Sequence, residues 1–261
     1  MKLKNANVLI TGGASGIGKI MGRMALQKGA RCFIIWDINE AGIEAACREL
    51  ASYGNVRGFV VNVADNDVVT KMYEKTVQEC GDIDILINSQ GTNVKKPLFD
   101  FPVSEFNKVL QDDITSLMIT CKHFGKYMKE NGYGKIVNVT SVRGKIATKG
   151  PGNAAYCASK GAVDMLTKQL ASELGPYGIT VNAFGPNIMK TPMMTKIFEM
   201  RAAEAGVTVE KYLEMQGAGL PMRRMSDPED CVGTALFLSA PASDFLTGNI
   251  LYPDGGLTAI G

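Results

Sequence analysis

The chain has 261 residues, a formal net charge of +2 and 46% hydrophobic residues, which is ample to build a large core. Its charges form no block of one sign, and this argues against a nucleic-acid surface or a polybasic membrane patch. No run approaches the ~20 apolar residues of a membrane span, and no signal-peptide pattern precedes the first apolar run, so we expect a cytoplasmic protein.

Short apolar runs alternate with amphipathic stretches along the whole chain. The predicted strands are 8–10, 32–36, 59–63, 83–87, 135–139, 179–184 and 249–252. Strands that alternate with helices predict a parallel sheet covered on both faces, that is, a doubly wound, seven-stranded α/β sheet of the Rossmann type. We expect a single domain over residues 1–261, with its ligand crevice at the carboxyl ends of the strands.

The first predicted strand leads into the glycine-rich segment TGGASGIG and then into a helical stretch, 19–28. Gly12, Gly16 and Gly18 would allow a tight turn, close approach of the backbone to a phosphate, and packing of helix on strand. The N-terminus of the helix would offer free N–H groups to a pyrophosphate. The spacing is a TGxxxGxG variant of the GxGxxG pattern, and taken alone it is equally typical of a structural loop.

The second predicted strand ends in Asp37, ~20 residues after the glycines. A carboxylate at this point would bind the hydroxyls of an adenosine ribose and would repel a 2′-phosphate. Ser15 and Ile38 add no basic group that would favour the phosphorylated cofactor. The sequence therefore predicts NAD(H) rather than NADP(H).

Tyr156 and Lys160 are four residues apart in the helical segment AAYCASKGAVDMLTKQLASEL, so they would lie on one face of a helix. A cation close to a phenol favours the phenolate, and such a pair can exchange a proton near neutral pH. Ser141 ends the apolar run KIVNVTS and would hydrogen-bond the same substrate oxygen. A lone YxxxK pattern is common by chance and indicates catalysis only together with a nucleotide site.

A methionine-rich segment without a strand pattern, 187–221, follows the sixth predicted strand. Its length predicts a helical lid over cofactor and substrate, because exclusion of water strengthens the electrostatics of hydride transfer. Packing of the methionines in a core or an interface is the alternative. Two long predicted helices, 100–128 and 156–174, carry more apolar surface than one sheet face needs, so we expect a homo-oligomer, either a dimer or a tetramer.

The six cysteines show no CxxC spacing, so we expect no metal site and mostly buried thiols. Cys157 adjoins Tyr156, and we expect it to pack rather than to react. The single histidine, His123, lies in a predicted helix without a second ligand at a suitable spacing, and we expect it to be structural.

Taken together, these segments resemble the short-chain dehydrogenase/reductase family, and the resemblance covers nearly the whole chain. The matching motifs are TGGASGIG, INSQG in place of the family's NNAG, Ser141, YCASK, FGPNIMKT as a PGxxxT-like segment, and YPDGG. Within the family, VLQDDITSL and GNILYPDGGLTAIG look most like bacterial enzymes of the gluconate 5-dehydrogenase type.

The resemblance implies an NAD-dependent oxidoreductase that interconverts a secondary alcohol and a ketone by hydride transfer. Tyr156 would be the general acid/base, Lys160 would assist it and bind the nicotinamide ribose, and Ser141 would steady the developing oxyanion. Asp113 stands where the family usually has Asn, and it would take part in a water relay from Lys160 to solvent.

The resemblance also implies a set of cofactor-binding residues. These are Gly12, Ser15, Gly16, Ile17, Gly18, Asp37, Ile38, Asn62, Val63, Asn88, Gly91, Tyr156, Lys160, Pro186, Ile188 and Thr191. Two further departures from the family pattern occur here. Gln90 replaces a small residue and would place a longer polar side chain beside the cofactor, and Asn62 replaces an Asp that often contacts the adenine amine.

The predicted substrate is a sugar acid, a sugar or a polyol. Asn93, Lys95, Arg143 and Lys145 follow strand ends that border the predicted site, and a cation there would suit a carboxylate. A hydroxysteroid is an alternative, because a methionine-rich lid can form an adaptable apolar pocket.

Two other functions are weaker alternatives. A 3-oxoacyl thioester reductase generally has a 2′-phosphate site, which Asp37 opposes. A non-catalytic dinucleotide-binding regulator would explain Asp113, but it would not explain an intact Ser141, Tyr156 and Lys160.

Overall fold

Seven parallel strands form one sheet in the order β3-β2-β1-β4-β5-β6-β7. The computed structural model describes residue 3 and residues 5–260, apart from the side chains of Pro192 and Met193, so the predicted domain limits at residues 1 and 261 lie outside the described residues. The strands are β1 (Asn7–Thr11), β2 (Cys32–Asp37), β3 (Asn55–Val60), β4 (Ile85–Asn88), β5 (Gly134–Val139), β6 (Ile179–Phe184) and β7 (Ile250–Leu251). The strand order reverses between β1 and β4, and in such sheets the ligand crevice opens at this point.

Helices connect the strands and cover both faces of the sheet. They are α1 (Gly16–Gln27), α2 (Glu40–Leu50), α3 (Asn66–Cys80), α4 (Val103–Leu110), α5 (Ser116–Asn131), α6 (Ala154–Leu174), α7 (Pro192–Glu204), α8 (Val209–Ala218) and α9 (Pro228–Ser239). Local capping fixes several of their starts. At α3, for example, the Asp65 carboxylate accepts hydrogen bonds from the backbone N–H groups of Asp67 and Val68.

Alternate residues of the central strands point into two separate hydrophobic cores. Val8, Ile10 and Ile35 pack on the face covered by α1 and α9. Leu9 and Ile34 pack on the opposite face with α5 and α6. Because both faces of each strand are apolar, the sheet is buried between two helical layers, and each fully buried side chain of this size contributes about 1.5–3 kcal/mol. The doubly wound fold predicted from the sequence is confirmed.

Two predicted elements differ most from the structure, whereas the limits of the other six strands agree with the prediction within two residues. The third strand is Asn55–Val60 rather than 59–63. It lies at the edge of the sheet, and its first four residues are alternately exposed and partly buried, so they form no apolar run in the sequence. The helix predicted over 100–128 is interrupted by a π-helical turn, Gln111–Thr115, between α4 and α5. π-Helical turns are rare in proteins, and those that occur are often found at functional sites.

The segment 187–221 contains the two helices α7 and α8. A small hydrophobic cluster, distinct from the two sheet cores, joins these helices to Met225, which follows the segment. Its other buried members are Phe198 and Ala202 on α7 and Tyr212 on α8. In residue 3 and residues 5–260, no helix combines the length and the apolar character that a bilayer crossing requires.

Candidate active site

The turn between β1 and α1 is built from closely packed glycines. Gly12 and Gly16 adopt positive φ angles of 66° and 53°, which favour glycine. A Cβ atom on Gly18 would lie 2.3 Å from the Gly12 carbonyl oxygen, so no larger residue fits there without opening the turn. Ser15 is the N-cap of α1, and within the described part of the chain its side chain makes no capping hydrogen bond. First-turn N–H groups, including that of Ile17, are therefore open to an anionic ligand.

Asp37 lies at the end of β2, beside this turn. Its carboxylate accepts hydrogen bonds from the backbone N–H groups of Ala14, at 3.1 Å, and Asn39, at 3.0 Å. Neither 12–18 nor 38–39 contains a lysine or an arginine, and the adjacent Ile38 is 72% exposed. A negative charge is therefore fixed next to the glycine turn without a basic residue in these two segments to offset it.

Lys160 and Tyr156 lie one turn apart on α6. The Lys160 ammonium is buried, 5.5 Å from the centre of the half-buried Tyr156 ring, and it donates a hydrogen bond of 3.3 Å to the Val139 carbonyl at the end of β5. The Thr140 hydroxyl in turn donates to the Lys160 carbonyl at 3.1 Å. These bonds fix the end of β5 against the catalytic face predicted for α6.

Ser141 follows β5 and begins a short 3₁₀ turn, Val142–Gly144. Its hydroxyl oxygen accepts a hydrogen bond of 3.2 Å from the Arg143 backbone N–H. Since the oxygen already accepts this bond, the hydroxyl hydrogen remains available for donation to an oxygen of a ligand.

Asp113 lies in the π-helical turn and is buried beside Lys160. Its Oδ2 is 3.7 Å from Lys160 Nζ and accepts a hydrogen bond of 2.6 Å from the Ser159 hydroxyl, while its Oδ1 accepts one of 2.8 Å from the Thr92 backbone N–H. A Cβ atom on Gly91 would lie 3.1 Å from Asp113 Oδ1 and 3.2 Å from Lys160 Nζ, so the chain after β4 passes directly over this ion pair. Sequence reasoning missed Ser159 and Thr92. Ser159 precedes Lys160 in the predicted helix, so the sequence could have indicated that it lies near the site, whereas no sequence pattern indicates a role for Thr92.

Two polar residues at the end of β4 and just after it point into the protein. The Asn88 amide donates to Asn138 Oδ1 at 2.9 Å and its carbonyl accepts from the Thr120 hydroxyl at 2.7 Å. Any contact of Asn88 with a nucleotide would therefore have to come from its backbone. The Gln90 side chain bonds the hydroxyls of Thr11 and Ser116, so its amide is directed to protein partners rather than along a cofactor.

The other residues predicted to bind the cofactor lie at the same edge of the sheet. Asn62 is exposed and its side chain accepts a hydrogen bond from the Ala64 N–H, whereas Val63 is buried. Pro186 follows β6, and its carbonyl accepts from the Val142 N–H at 3.2 Å. Ile188 is 41% exposed and Thr191 is buried at the start of α7.

His123 lies outside this site, and the six cysteines are free thiols that are buried or partly buried. His123 is 3.2 Å from the Asn66 side chain on the surface between α3 and α5, and partial burial lowers its pKa. Among the described residues, no group of three or more His, Cys, Asp or Glu side chains is placed to hold a metal ion.

Several proteins of similar sequence are named dehydrogenases or reductases. The family model described as enoyl-(acyl carrier protein) reductase matches residues 12–258. A 2-dehydro-3-deoxy-D-gluconate 5-dehydrogenase of Formosa agariphila is 33% identical over 98% of this chain and 94% of its own length. A 5-keto-D-gluconate 5-reductase of Escherichia coli is 33% identical over 98% and 96%, and a 3-oxoacyl-(acyl-carrier-protein) reductase of Thermotoga maritima is 33% identical over 98% and 99%.

Solved structures agree with this relationship. An NAD⁺-bound xylitol dehydrogenase superposes with a TM-score of 0.87 at 29% identity, covering 98% of this chain and 100% of that one. A protein named ElxO, with NADP bound, superposes with a TM-score of 0.86 at 28% identity, covering 98% and 99%. The chain is a member of the short-chain dehydrogenase/reductase family, whose members are oxidoreductases that act on CH–OH groups.

Proposed function

We propose that the protein is an NAD(H)-dependent enzyme that interconverts a secondary alcohol and a ketone. The observation that carries this proposal is the buried Lys160 ammonium, which lies between the Tyr156 ring and the Asp113 carboxylate. These groups are at the same sheet edge as the glycine turn. Bound nicotinamide would supply or accept the hydride.

The chain's own groups would handle the proton and the substrate oxygen. Tyr156 donates a proton to the oxygen in reduction and removes it in oxidation. The Lys160 ammonium stabilises the phenolate that remains and binds the nicotinamide ribose, and the Ser141 hydroxyl donates to the oxygen as charge develops there. Asp113 holds Lys160 in place and links it to a water path to solvent.

The structure offers a site that fits a dinucleotide. A side chain at Gly18 would collide with the Gly12 carbonyl, so the glycines keep the turn tight enough for the backbone to approach a phosphate. The N-terminus of α1 presents N–H groups for a pyrophosphate. Asp37 would bind the adenosine ribose. We assign the remaining cofactor contacts to Gly12, Ser15, Gly16, Ile17, Ile38, Asn62, Val63, Asn88, Gly91, Pro186, Ile188 and Thr191.

The substrate we propose is a sugar acid, with a related sugar or polyol as the uncharged variant. Two relatives are named after derivatives of gluconate. In this chain, Lys95 is an exposed cation, and it lies close to the loop before Tyr156, because a Cβ atom on Gly152 would be 3.8 Å from Lys95 Cβ. Arg143 and Lys145 are less suited, because the Arg143 side chain donates to the Ala147 carbonyl and the Lys145 ammonium donates to the carbonyl and the hydroxyl of Thr258.

Two further parts of the proposal concern shape and assembly. The α7–α8 segment, with its own small hydrophobic cluster, would cover the substrate as a lid. Met118 on α5 and Met165 on α6 are 45% and 63% exposed, and burial of these apolar side chains would favour a homo-oligomer, either a dimer or a tetramer.

A panel of carbonyl compounds, read by NADH absorbance, tests the reaction and the substrate together. We expect keto sugar acids to be reduced faster than uncharged ketoses, hydroxysteroid ketones and 3-oxoacyl thioesters. Lys95→Ala should raise KM for the acid by about two- to fivefold, as expected for an exposed ion pair, and leave KM for an uncharged ketose unchanged. Lys122→Ala, at an exposed position of α5, is the matched control. Fastest turnover of an acyl thioester would contradict the proposed substrate.

A second prediction concerns the cofactor. Wild-type enzyme should use NADH in preference to NADPH, because the Asp37 carboxylate repels a 2′-phosphate. Asp37→Ser removes this charge, and it should shift the ratio of kcat/KM values toward NADPH by about tenfold to a hundredfold. Glu74→Gln, which removes an exposed carboxylate on α3, should leave the ratio unchanged. Equal rates with the two cofactors in the wild type would show that Asp37 does not select between them.

A further inference from the structure

A hydrogen bond outside the proposed catalytic group joins α6 to the segment after β7. The Tyr252 hydroxyl donates to Asp164 Oδ2 at 2.6 Å, between residues 88 positions apart in the sequence. Asp164 lies one helical turn after Lys160 and two turns after Tyr156, so all three side chains share one face of α6. The bond therefore ties the helix that carries Tyr156 to the C-terminal segment.

The turn that follows Ser141 is enclosed by these two residues. A Cβ atom on Gly144 would lie 2.6 Å from Asp164 Oδ2 and 2.8 Å from the Lys160 carbonyl oxygen. A Cβ on Gly185 would lie 2.7 Å from the Tyr252 ring and 3.0 Å from the Ser141 carbonyl carbon. The backbone after Ser141 is thus in contact with α6 on one side, and the Tyr252 ring packs near it on the other.

A cation and a buried carboxylate oxygen lie close to this hydrogen bond. The Lys145 ammonium lies 5.2 Å from the centre of the Tyr252 ring and also bonds Thr258. Asp164 Oδ1 is buried and has no hydrogen-bond partner among the described residues, and burial raises the pKa of this carboxyl. A carboxylate with one buried oxygen that lacks a hydrogen bond is costly, and an apolar pair would hold two elements together at lower cost. Its presence beside Lys160 indicates a role in the site rather than in packing alone.

We propose that Tyr252 and Asp164 are positioning residues of the active site, which hold the turn after Ser141 against the face of α6 that carries Tyr156 and Lys160. The inference rests on the proposed function. Loss of the tether would let the Ser141 hydroxyl move away from the oxygen that Tyr156 protonates. Small misplacements of this kind can reduce turnover by up to about 10²-fold.

Kinetics of matched variants test the positioning role. Tyr252→Phe removes only the hydroxyl, and it should lower kcat by about 10- to 100-fold while KM for NADH stays within about twofold. Asp164→Leu should reproduce this loss, whereas Asp164→Asn keeps a carbonyl acceptor for Tyr252 and should restore most of kcat. Tyr177→Phe, which removes a hydroxyl from a partly exposed tyrosine, is the control. Equal kcat for Tyr252→Phe and Tyr177→Phe, or for Asp164→Leu and Asp164→Asn, would overturn the proposal.

Amide hydrogen exchange gives a readout that does not depend on a substrate. The N–H groups of Val142, Gly144, Lys145 and Ile146 are hydrogen-bonded in the turn after Ser141. In Tyr252→Phe they should exchange about tenfold faster, and in Tyr177→Phe they should not. Unchanged exchange would refute the tether. If the wild type reduced no compound in the panel, the proposed function would fail, and the exchange experiment alone would decide whether the tether exists.

Discussion

Replacement of Tyr156 with phenylalanine should lower kcat by about 10²- to 10⁴-fold, because it removes the group that exchanges a proton with the substrate oxygen. The ring remains, so its contact with the Lys160 ammonium, 5.5 Å from the ring centre, should persist. Binding of NADH should change little. Single-turnover reduction of the best substrate in the panel, together with NADH fluorescence titration, measures the two effects separately.

Tyr53→Phe is a suitable control for the loss of a tyrosine hydroxyl, because Tyr53 is 43% exposed and lies in the short 3₁₀ turn after α2. It should leave both kcat and NADH affinity unchanged. An equal kcat in Tyr156→Phe and Tyr53→Phe would show that the phenol is not the acid/base. A dinucleotide-binding regulator, the non-catalytic alternative, would show no turnover in the wild type and the same NADH affinity in both variants.

The large features of the fold were predictable from the sequence. Apolar runs buried on both faces, such as 32–36, stand out against the amphipathic helices between them, so the seven strands and the doubly wound arrangement are confirmed. The family relationship was carried by short motifs and is confirmed as well. The roles assigned to Ser141, Tyr156 and Lys160 remain predictions, although Tyr156 and Lys160 do lie together on α6.

Local errors arose where tertiary structure overrides the sequence pattern. In β3, Asn55 and Gly58 are poor strand formers, but pairing along β2 holds them in an edge strand. The π-helical turn Gln111–Thr115 has no pattern of apolar residues that distinguishes it from an α-helix, so the sequence predicted one continuous helix across it. Tyr252 could not be paired with Asp164 from sequence, because only the sheet brings the two segments together.

Substitution of Lys160 by methionine should inactivate the enzyme and also destabilise it. The Lys160 and Asp113 side chains are 6% and 0% exposed, and their charges are 3.7 Å apart. Removal of the cation leaves a buried carboxylate that, among the residues the structure describes, accepts hydrogen bonds from only Thr92 and Ser159. Breaking a buried pair in this way costs about 3–5 kcal/mol, and we expect a value near the lower limit because both remaining donors persist. Urea unfolding measures the loss of stability, and kcat should fall by at least about 10²-fold.

The double variant Lys160→Met, Asp113→Asn separates stability from catalysis. A neutral amide at residue 113 removes the unpaired buried charge, and its carbonyl oxygen can still accept from the Thr92 N–H. The double variant should therefore be more stable than Lys160→Met while it remains as inactive, since the stabilising cation beside the phenol is still missing. Asp113→Asn alone should stay within about tenfold of wild-type kcat, because the Lys160 ammonium keeps its bond to the Val139 carbonyl. If the double variant recovered turnover along with stability, the loss in Lys160→Met would reflect misfolding rather than a missing charge beside Tyr156.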